Sequence, residues 1–138
     1  MVQEYKRDDS IIGVGTDIIE IDRVKLAVER SGSRFLERVY TSAEIAYCEA
    51  RRDRISCYAA RFAAKEAVLK AIGSGLSGCR WVEVEVSRSR EGPPGVLLHG
   101  AAAALAAKRG IGSLHITLSH SREFAVAFAV ATGRGANA

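Results

Sequence analysis

The stretch Arg61-Phe62-Ala63-Ala64-Lys65-Glu66-Ala67-Val68-Leu69-Lys70-Ala71-Ile72-Gly73 constrains this chain most. Its residues are good helix formers, and Gly73 stands where a helix would stop. On a helical wheel the apolar residues run nearly all the way round, which predicts a largely buried helix. Four charges nevertheless sit in it. A buried charge has to be paired, hydrogen bonded or bound to a metal. Arg61 and Lys65 stand four apart as like charges, whereas Glu66 and Lys70 stand four apart in the favourable order. An anion between Arg61 and Lys65, with a cation on Glu66, resolves the conflict. Those are the parts of a metal–phosphate site.

The rest of the chain is read against that site. A length of 138 residues predicts one domain with a real core. No apolar run approaches the ~18 residues of a membrane span, and residues 1–9 lack the apolar centre of a signal peptide. Cys48, Cys57 and Cys79 are an odd number without Cys-x-x-Cys spacing. They read as reduced thiols of a cytosolic protein. A net charge of +4 and a pI near 9.2 favour an anionic partner.

Residues 1–9 read as a frayed leader. Residues 11–21 are β-rich and mostly apolar, so they predict a central strand. Its exception is Asp17, and Gly13 and Gly15 just upstream suit a close approach of ligand or backbone. Asp22 is expected to cap a helix from residue 23 to about 30, followed by a second short helix carrying Phe35, Leu36 and Val39. Both carry outward arginines, among them Arg23 and Arg30, which read either as a solvated face or as a docking surface for an acidic protein. Thr41-Ser42-Ala43-Glu44 is a capping box opening a helix to about residue 52. The charged helix is expected to begin near Ser56. The Gly-x-Gly-x-x-Gly of residues 73–78 follows a helix, not a strand, so it is not a dinucleotide fingerprint. Residues 81–86 alternate strictly and predict a strand paired with residues 96–98 across a turn at 90–95. Residues 101–108 predict a helix, and residues 114–119 and 124–130 a second hairpin. In its last strand one face is large and the other all alanine, as if a helix packed there. Residues 132–138 read as a loose tail.

Two acids without a Cys/His cluster favour a hard cation bound through oxygen. Each also has an ordinary reading: Asp17 as a cap or turn acid, Glu66 as the partner of Lys70. His120, between Ser119 and Ser121, is a phosphate donor, a proton relay or simply solvated.

Gly13-Val14-Gly15-Thr16-Asp17, Arg61-Phe62-Ala63-Ala64-Lys65-Glu66-Ala67 with Lys70 and Gly73, and Leu118-Ser119-His120-Ser121 together resemble the holo-[acyl-carrier-protein] synthases, the short bacterial 4'-phosphopantetheinyl transferases. The resemblance spans residues 11 to about 130. It implies an α+β fold, an antiparallel sheet wrapped around and packed by helices, in a trimer with sites shared between neighbouring subunits. It implies transfer of phosphopantetheine from coenzyme A to a serine of apo acyl carrier protein, for fatty acid biosynthesis, with release of adenosine 3',5'-bisphosphate. Asp17 and Glu66 match the family's Mg²⁺ ligands. Arg61, Lys65, Lys70, Gly73, Ser119, His120 and Ser121 match the segments that hold coenzyme A phosphates. Arg23 and Arg30 match the surface that meets the acidic carrier protein. The expected base is a metal-bound water near Glu66, with Lys65 stabilising the departing phosphate. The rivals are a small basic nucleic-acid-binding domain and a non-catalytic interaction module.

Overall fold

In the last strand Phe124, Val126, Phe128 and Val130 alternate with alanines, and a pleated strand must send the two sets to opposite faces. The computed structural model describes residues 1–7, 9–74, 78–88 and 92–134. In chain order the elements are β1 (Ile11–Glu20), α1 (Ile21–Ser31), α2 (Ser33–Val39), α3 (Ser42–Glu49), α4 (Arg54–Ile72), a 3₁₀ turn (Trp81–Glu83), β2 (Val84–Ser87), β3 (Gly95–Leu98), α5 (Gly100–Lys108), β4 (Ile111–His120) and β5 (Phe124–Gly133). The fold is thus α+β. One antiparallel sheet has the order β1-β5-β4, and β2 and β3 pair separately as a hairpin.

Helix α4 lies on the alanine face of β5 and across β1 and β4. Ala125, Ala127, Ala129 and Ala131 are buried beneath it, and Ala63, Ala64 and Ala67 face them as part of the same cores. Small residues on both sides let the layers approach closely. A Cβ at Gly13 would run into the Ala71 carbonyl oxygen, and one at Gly15 into that of Ala67. Around the N-terminal half of α4, Ile21, Val24, Val39, Tyr40 and Tyr58 build a second cluster that seats α1 to α3.

Several expectations change. Residues 11–20 form an edge strand of this sheet, not a central one. Their apolar character misleads because Val14 and Ile18 point outward and stay 66% and 63% exposed. Asp22 does not cap α1. The helix starts at Ile21, which puts Asp22 in the first turn, where a carboxylate suits the helix dipole. Helix α3 ends at Glu49 and α4 starts at Arg54. Residues 81–83 turn instead of extending, because Glu83 folds back onto the Arg80 N–H (2.7 Å) and also accepts from the Ala101 N–H (2.8 Å). Thr132 and Gly133 are no tail: Thr132 pairs with Ile11 and Ser113. Residues 75–77, 89–91 and 135–138, parts of the expected glycine loop, turn and tail, lie outside the described residues.

The capping box forms as expected, Thr41 N–H donating to Glu44 (2.9 Å) and Glu44 N–H to the Thr41 hydroxyl (3.3 Å). Glu44 also does something its local role conceals. Its Oε1 receives the Lys65 ammonium at 2.6 Å and its Oε2 the Val86 N–H at 2.9 Å. Lys65 donates further to the carbonyls of Trp81 and Val84, and neither charged side chain is exposed. Burial pushes the Lys65 ammonium below the ordinary lysine value, against the pull of Glu44. The pair ties α3, α4 and β2 together.

A buried pair is costly to break from one side, since the remaining charge is stranded. Lys65→Met and Glu44→Gln are therefore each expected to lower unfolding free energy by about 3–5 kcal/mol, measured by urea denaturation. A loss below 1 kcal/mol, on the scale of an exposed pair, contradicts the assignment. Glu83 gives a pH-dependent counterpart. The Arg80 N–H first, and the Ala101 N–H after it, hold its carboxyl below the ordinary glutamate value. Its stabilisation is present above that value and is lost as pH falls through the lowered one. Glu83→Gln should cost about 1–3 kcal/mol near neutral pH, and the gap from the parent should close on acidification. A gap that widens in acid contradicts this.

Candidate active site

On β1 the residues facing α4 are Gly13, Gly15, Asp17 and Ile19, each partly buried, while Val14, Thr16, Ile18 and Glu20 face out. The two glycines bring α4 down, and one turn further along Asp17 meets the helix where Glu66 projects. Asp17 and Glu66 line one cavity of about 320 Å³ together with Arg23, Val24, Phe35 and Phe62. Glu20, the nearest rival acid, lies on the other face.

Each carboxylate has a second contact. The Lys70 ammonium donates to the Thr16 carbonyl (2.8 Å) and to Asp17 Oδ1 (3.3 Å). Thus Lys70 serves Asp17, and the expected Glu66–Lys70 pair is replaced. Glu66 Oε1 instead receives the Trp81 indole N–H at 2.7 Å, and the Trp81 ring rests on Phe62 with centroids 5.7 Å apart. The donor set is two carboxylates in an apolar-walled, positively flanked cavity. That suits an Mg²⁺-type ion, which takes one or two carboxylates and completes its shell with water and substrate phosphate. Among the described residues no third acid, His or Cys joins them.

Lys65 is elsewhere. Its ammonium is spent on Glu44 and two carbonyls in the core, so the expected contacts of Lys65 with substrate phosphate and with the departing group are not made from this position. Lys70 pairs with Asp17, and Arg23 lines the cavity of both acids.

Arg61 and His120 come together in a different cavity, of about 90 Å³, with Arg51, Arg88, Asp53 and Cys57. The Arg61 guanidinium stacks over Tyr47 (4.2 Å to the ring centre) and donates to Cys57 Sγ at 3.2 Å. Its buried Nε has no hydrogen-bond partner among the described residues. His120 Nε2 lies 3.7 Å from Asp53 Oδ2. A hydrogen bond from Arg51 holds the Asp53 carboxyl below its ordinary range. Three guanidiniums and an imidazole around one small cavity make an anion site. The Ser121 N–H turns back to the Phe124 carbonyl (2.9 Å), and Ser119 and Ser121 stay exposed beside it. Gly73 closes α4 at φ 87°, against the Arg109 side chain. Arg23 stands at the first cavity, while Arg30 is exposed in the last turn of α1.

Sequence reasoning missed three residues. Trp81 was assigned to a strand face; being the one Trp of the chain, next to a turn, was its signal. Arg51 and Arg88 carry no local signal, and only the fold brings them to Arg61.

Residues 13–129 match the sequence model of the 4'-phosphopantetheinyl transferase superfamily. A holo-[acyl-carrier-protein] synthase of Desulforudis audaxviator is 51% identical over 123 residues, covering 89% of this chain and 94% of that one. The chain belongs to the holo-[acyl-carrier-protein] synthase family. Another member, from Solibacter usitatus, is 44% identical over 121 residues, covering 87% and 97%. Among solved holo-[acyl-carrier-protein] synthases, the fold is similar to that from Neisseria meningitidis (TM-score 0.81, 29% identity, 88% and 98% covered). It is similar too to the Helicobacter pylori enzyme in complex with coenzyme A (TM-score 0.77, 32% identity, 86% and 99% covered).

The Trp81 indole N–H positions the Glu66 carboxylate. Outer-shell partners of metal ligands typically govern 10–100-fold in affinity. For an Mg²⁺ ion held by Asp17 and Glu66, Trp81→Phe is expected to weaken binding by about tenfold or more, measured by calorimetry at a temperature where both proteins are folded. Equal affinities contradict the role.

Proposed function

We propose that this protein transfers the 4'-phosphopantetheine arm of coenzyme A to a serine hydroxyl of an apo acyl carrier protein, releasing adenosine 3',5'-bisphosphate. It does so in the cytoplasm, with Mg²⁺, and serves fatty acid biosynthesis. The observation that carries the reading is the sharing of one cavity by Asp17 and Glu66, with Lys70 and Arg23 beside them, in a chain of this family. Relatives solved with coenzyme A support the substrate. The described residues include no helix long and apolar enough to cross a membrane.

Asp17 and Glu66 hold the ion, and Trp81 fixes the rotamer of Glu66. Mg²⁺, when bound, supplies a Lewis acid for the pyrophosphate and its leaving oxygen. Lys70 neutralises charge at the Asp17 side. Glu66 and Asp17 are the proton acceptors lining the cavity, and the serine proton is assigned to the Glu66 side. Arg61 and His120, with Arg51 and Arg88, take a phosphate of coenzyme A. Ser119 and Ser121 flank His120 on the same turn, and Lys70 and Gly73 stand at the Asp17 end of α4. Arg23 and Arg30 meet acidic side chains of the carrier protein.

Asp17 and Arg61 line separate cavities of one chain. A homotrimer resolves this: Asp17 and Glu66 of one subunit face the arginine cavity of the next. The exposed apolar residues Val14, Ile18, Phe124 and Phe128 on the outer sheet face support such burial between subunits. No observation favours nucleic acid or a non-catalytic module.

The direct test is the intact mass of an apo acyl carrier protein after incubation with this protein, coenzyme A and Mg²⁺. A Mg²⁺-dependent gain of one phosphopantetheine is expected. Asp17→Asn and Glu66→Gln should reduce the rate by more than the ~100-fold that outer-shell changes cost. No gain on several carrier proteins overturns the reading. Arg61→Ala should raise KM for coenzyme A about tenfold or more, as loss of a charged hydrogen bond does. Mixing Asp17→Asn with Arg61→Ala subunits should restore part of the activity. Failure of properly mixed trimers to complement contradicts sites shared between subunits.

A further inference from the structure

Cys48 and Cys57 play no part in the proposed reaction, yet they face each other. Cys48 sits in the last turn of α3 and Cys57 in the first turn of α4, with their sulfurs 2.7 Å apart. Their surroundings differ. Both belong to the apolar cluster of Val39, Tyr40 and Tyr58, but Cys48 is wholly buried there. Cys57 is 5% exposed and lines the cavity walled by Arg51, Arg61, Arg88 and His120. Cys79 belongs to the other cluster, away from both. One thiol is thus open to a small polar reagent at a positive cavity, and the second waits directly behind it. That is the layout of an attacking and a resolving cysteine.

We propose that Cys48 and Cys57 form a reversible disulfide, with Cys57 meeting hydrogen peroxide at the arginine-lined cavity and Cys48 resolving the product. In the first step the Cys57 thiolate attacks one peroxide oxygen and the O–O bond breaks. This gives Cys57 sulfenic acid, and the displaced hydroxide takes up a proton to leave as water. In the second step the Cys48 sulfur attacks the Cys57 sulfur, losing its own proton, and a second water leaves. In sum two thiols and one peroxide give one disulfide and two waters; the sulfurs surrender two electrons and the peroxide accepts them. The protonation state of Cys57 agrees with its role as the attacking thiol. The hydrogen bond from Cys48, ahead of the nearby Arg61 and Arg51, pulls the Cys57 thiol below its ordinary value, against its burial. Cys48, giving that hydrogen bond and buried, is pushed far up and keeps its proton. A thiolate beside guanidiniums is the reactive form.

Oxidation reaches the substrate site through Arg61, whose Nη1 donates to Cys57 Sγ at 3.2 Å. A disulfide sulfur is neutral and a poorer acceptor than a thiolate, so the guanidinium loses one of its two anchors and keeps only the Tyr47 ring. The resulting rise in KM for coenzyme A rests on the proposed function, whereas the disulfide itself does not.

The test treats the folded full-length protein with stoichiometric hydrogen peroxide, alkylates it, and maps it without reduction. The expected product has lost two hydrogens, links the peptides containing Cys48 and Cys57, leaves Cys79 alkylated and reverts with dithiothreitol. In Cys48→Ser the reaction should stop at a Cys57 sulfenic acid trapped by dimedone; should that variant not fold, the parent's peptide map still decides. Three results overturn the proposal: oxidation confined to Cys79, Cys57 passing to sulfinic acid without linkage to Cys48, or no oxidation at all. A disulfide that forms while KM for coenzyme A stays unchanged leaves the linkage and removes the role of Arg61. Because the map needs no transferase assay, the proposal can fail or hold whatever carrier-protein modification shows.

Discussion

Everything in the site follows from how near α4 comes to β1. A helix resting on ordinary side chains stands well off a strand, but here Gly13 and Gly15 leave room for the carbonyls of Ala71 and Ala67 to come down onto the strand backbone. The alanine face of β5 extends the same shallow bed. With the backbones so close, a short aspartate on the strand and a glutamate on the helix can line one cavity, and Lys70 can reach across to the Thr16 carbonyl. Longer side chains at the two glycines would lift the helix and separate the acids.

A helix held against so smooth a surface needs something to fix its rotation and depth. The Lys65–Glu44 pair supplies it from the opposite side. One carboxylate closes a helix cap, receives an ammonium and accepts a strand N–H, so α3, α4 and β2 share a single polar junction. Such a junction tolerates few alternative registers, because any slip strands a charge in the core. The same helix therefore shows several uses of charge: Lys65 fixes it, Glu66 lines the two-acid cavity, Lys70 pairs with Asp17, and Arg61 faces an anion cavity.

Local signals carried far in this sequence. The Thr41–Glu44 capping box, the Gly73 stop, the β2–β3 pairing and the alanine face of β5 were legible because each rests on neighbours in sequence or on a simple period. Asp17 and Glu66 were legible as oddities, carboxylates set in apolar runs. What failed was long-range pairing among charges. Lys65 looked like a phosphate ligand because its spacing from Arg61 was visible, while its true partner stands 21 residues earlier and already had a sufficient job as a capping residue. Glu66 looked paired with Lys70 for the same reason, and Trp81 was hidden by an alternation that Glu83 breaks. The outward valine and isoleucine of β1 imitated a central strand because a surface that apolar resembles a core position.

The central claim is that α4 and β1 together make a divalent-cation site from Asp17 and Glu66. The most direct measurement is a crystal structure of the protein with Mn²⁺ in place of Mg²⁺ and with coenzyme A, the ion located by its anomalous scattering. The account predicts one strong peak per subunit between the Asp17 and Glu66 carboxylates, in contact with pyrophosphate oxygens, with Trp81 still on Glu66 and Lys65 still on Glu44. A peak held by other residues, or coenzyme A bound with no ion at these two acids, would contradict it.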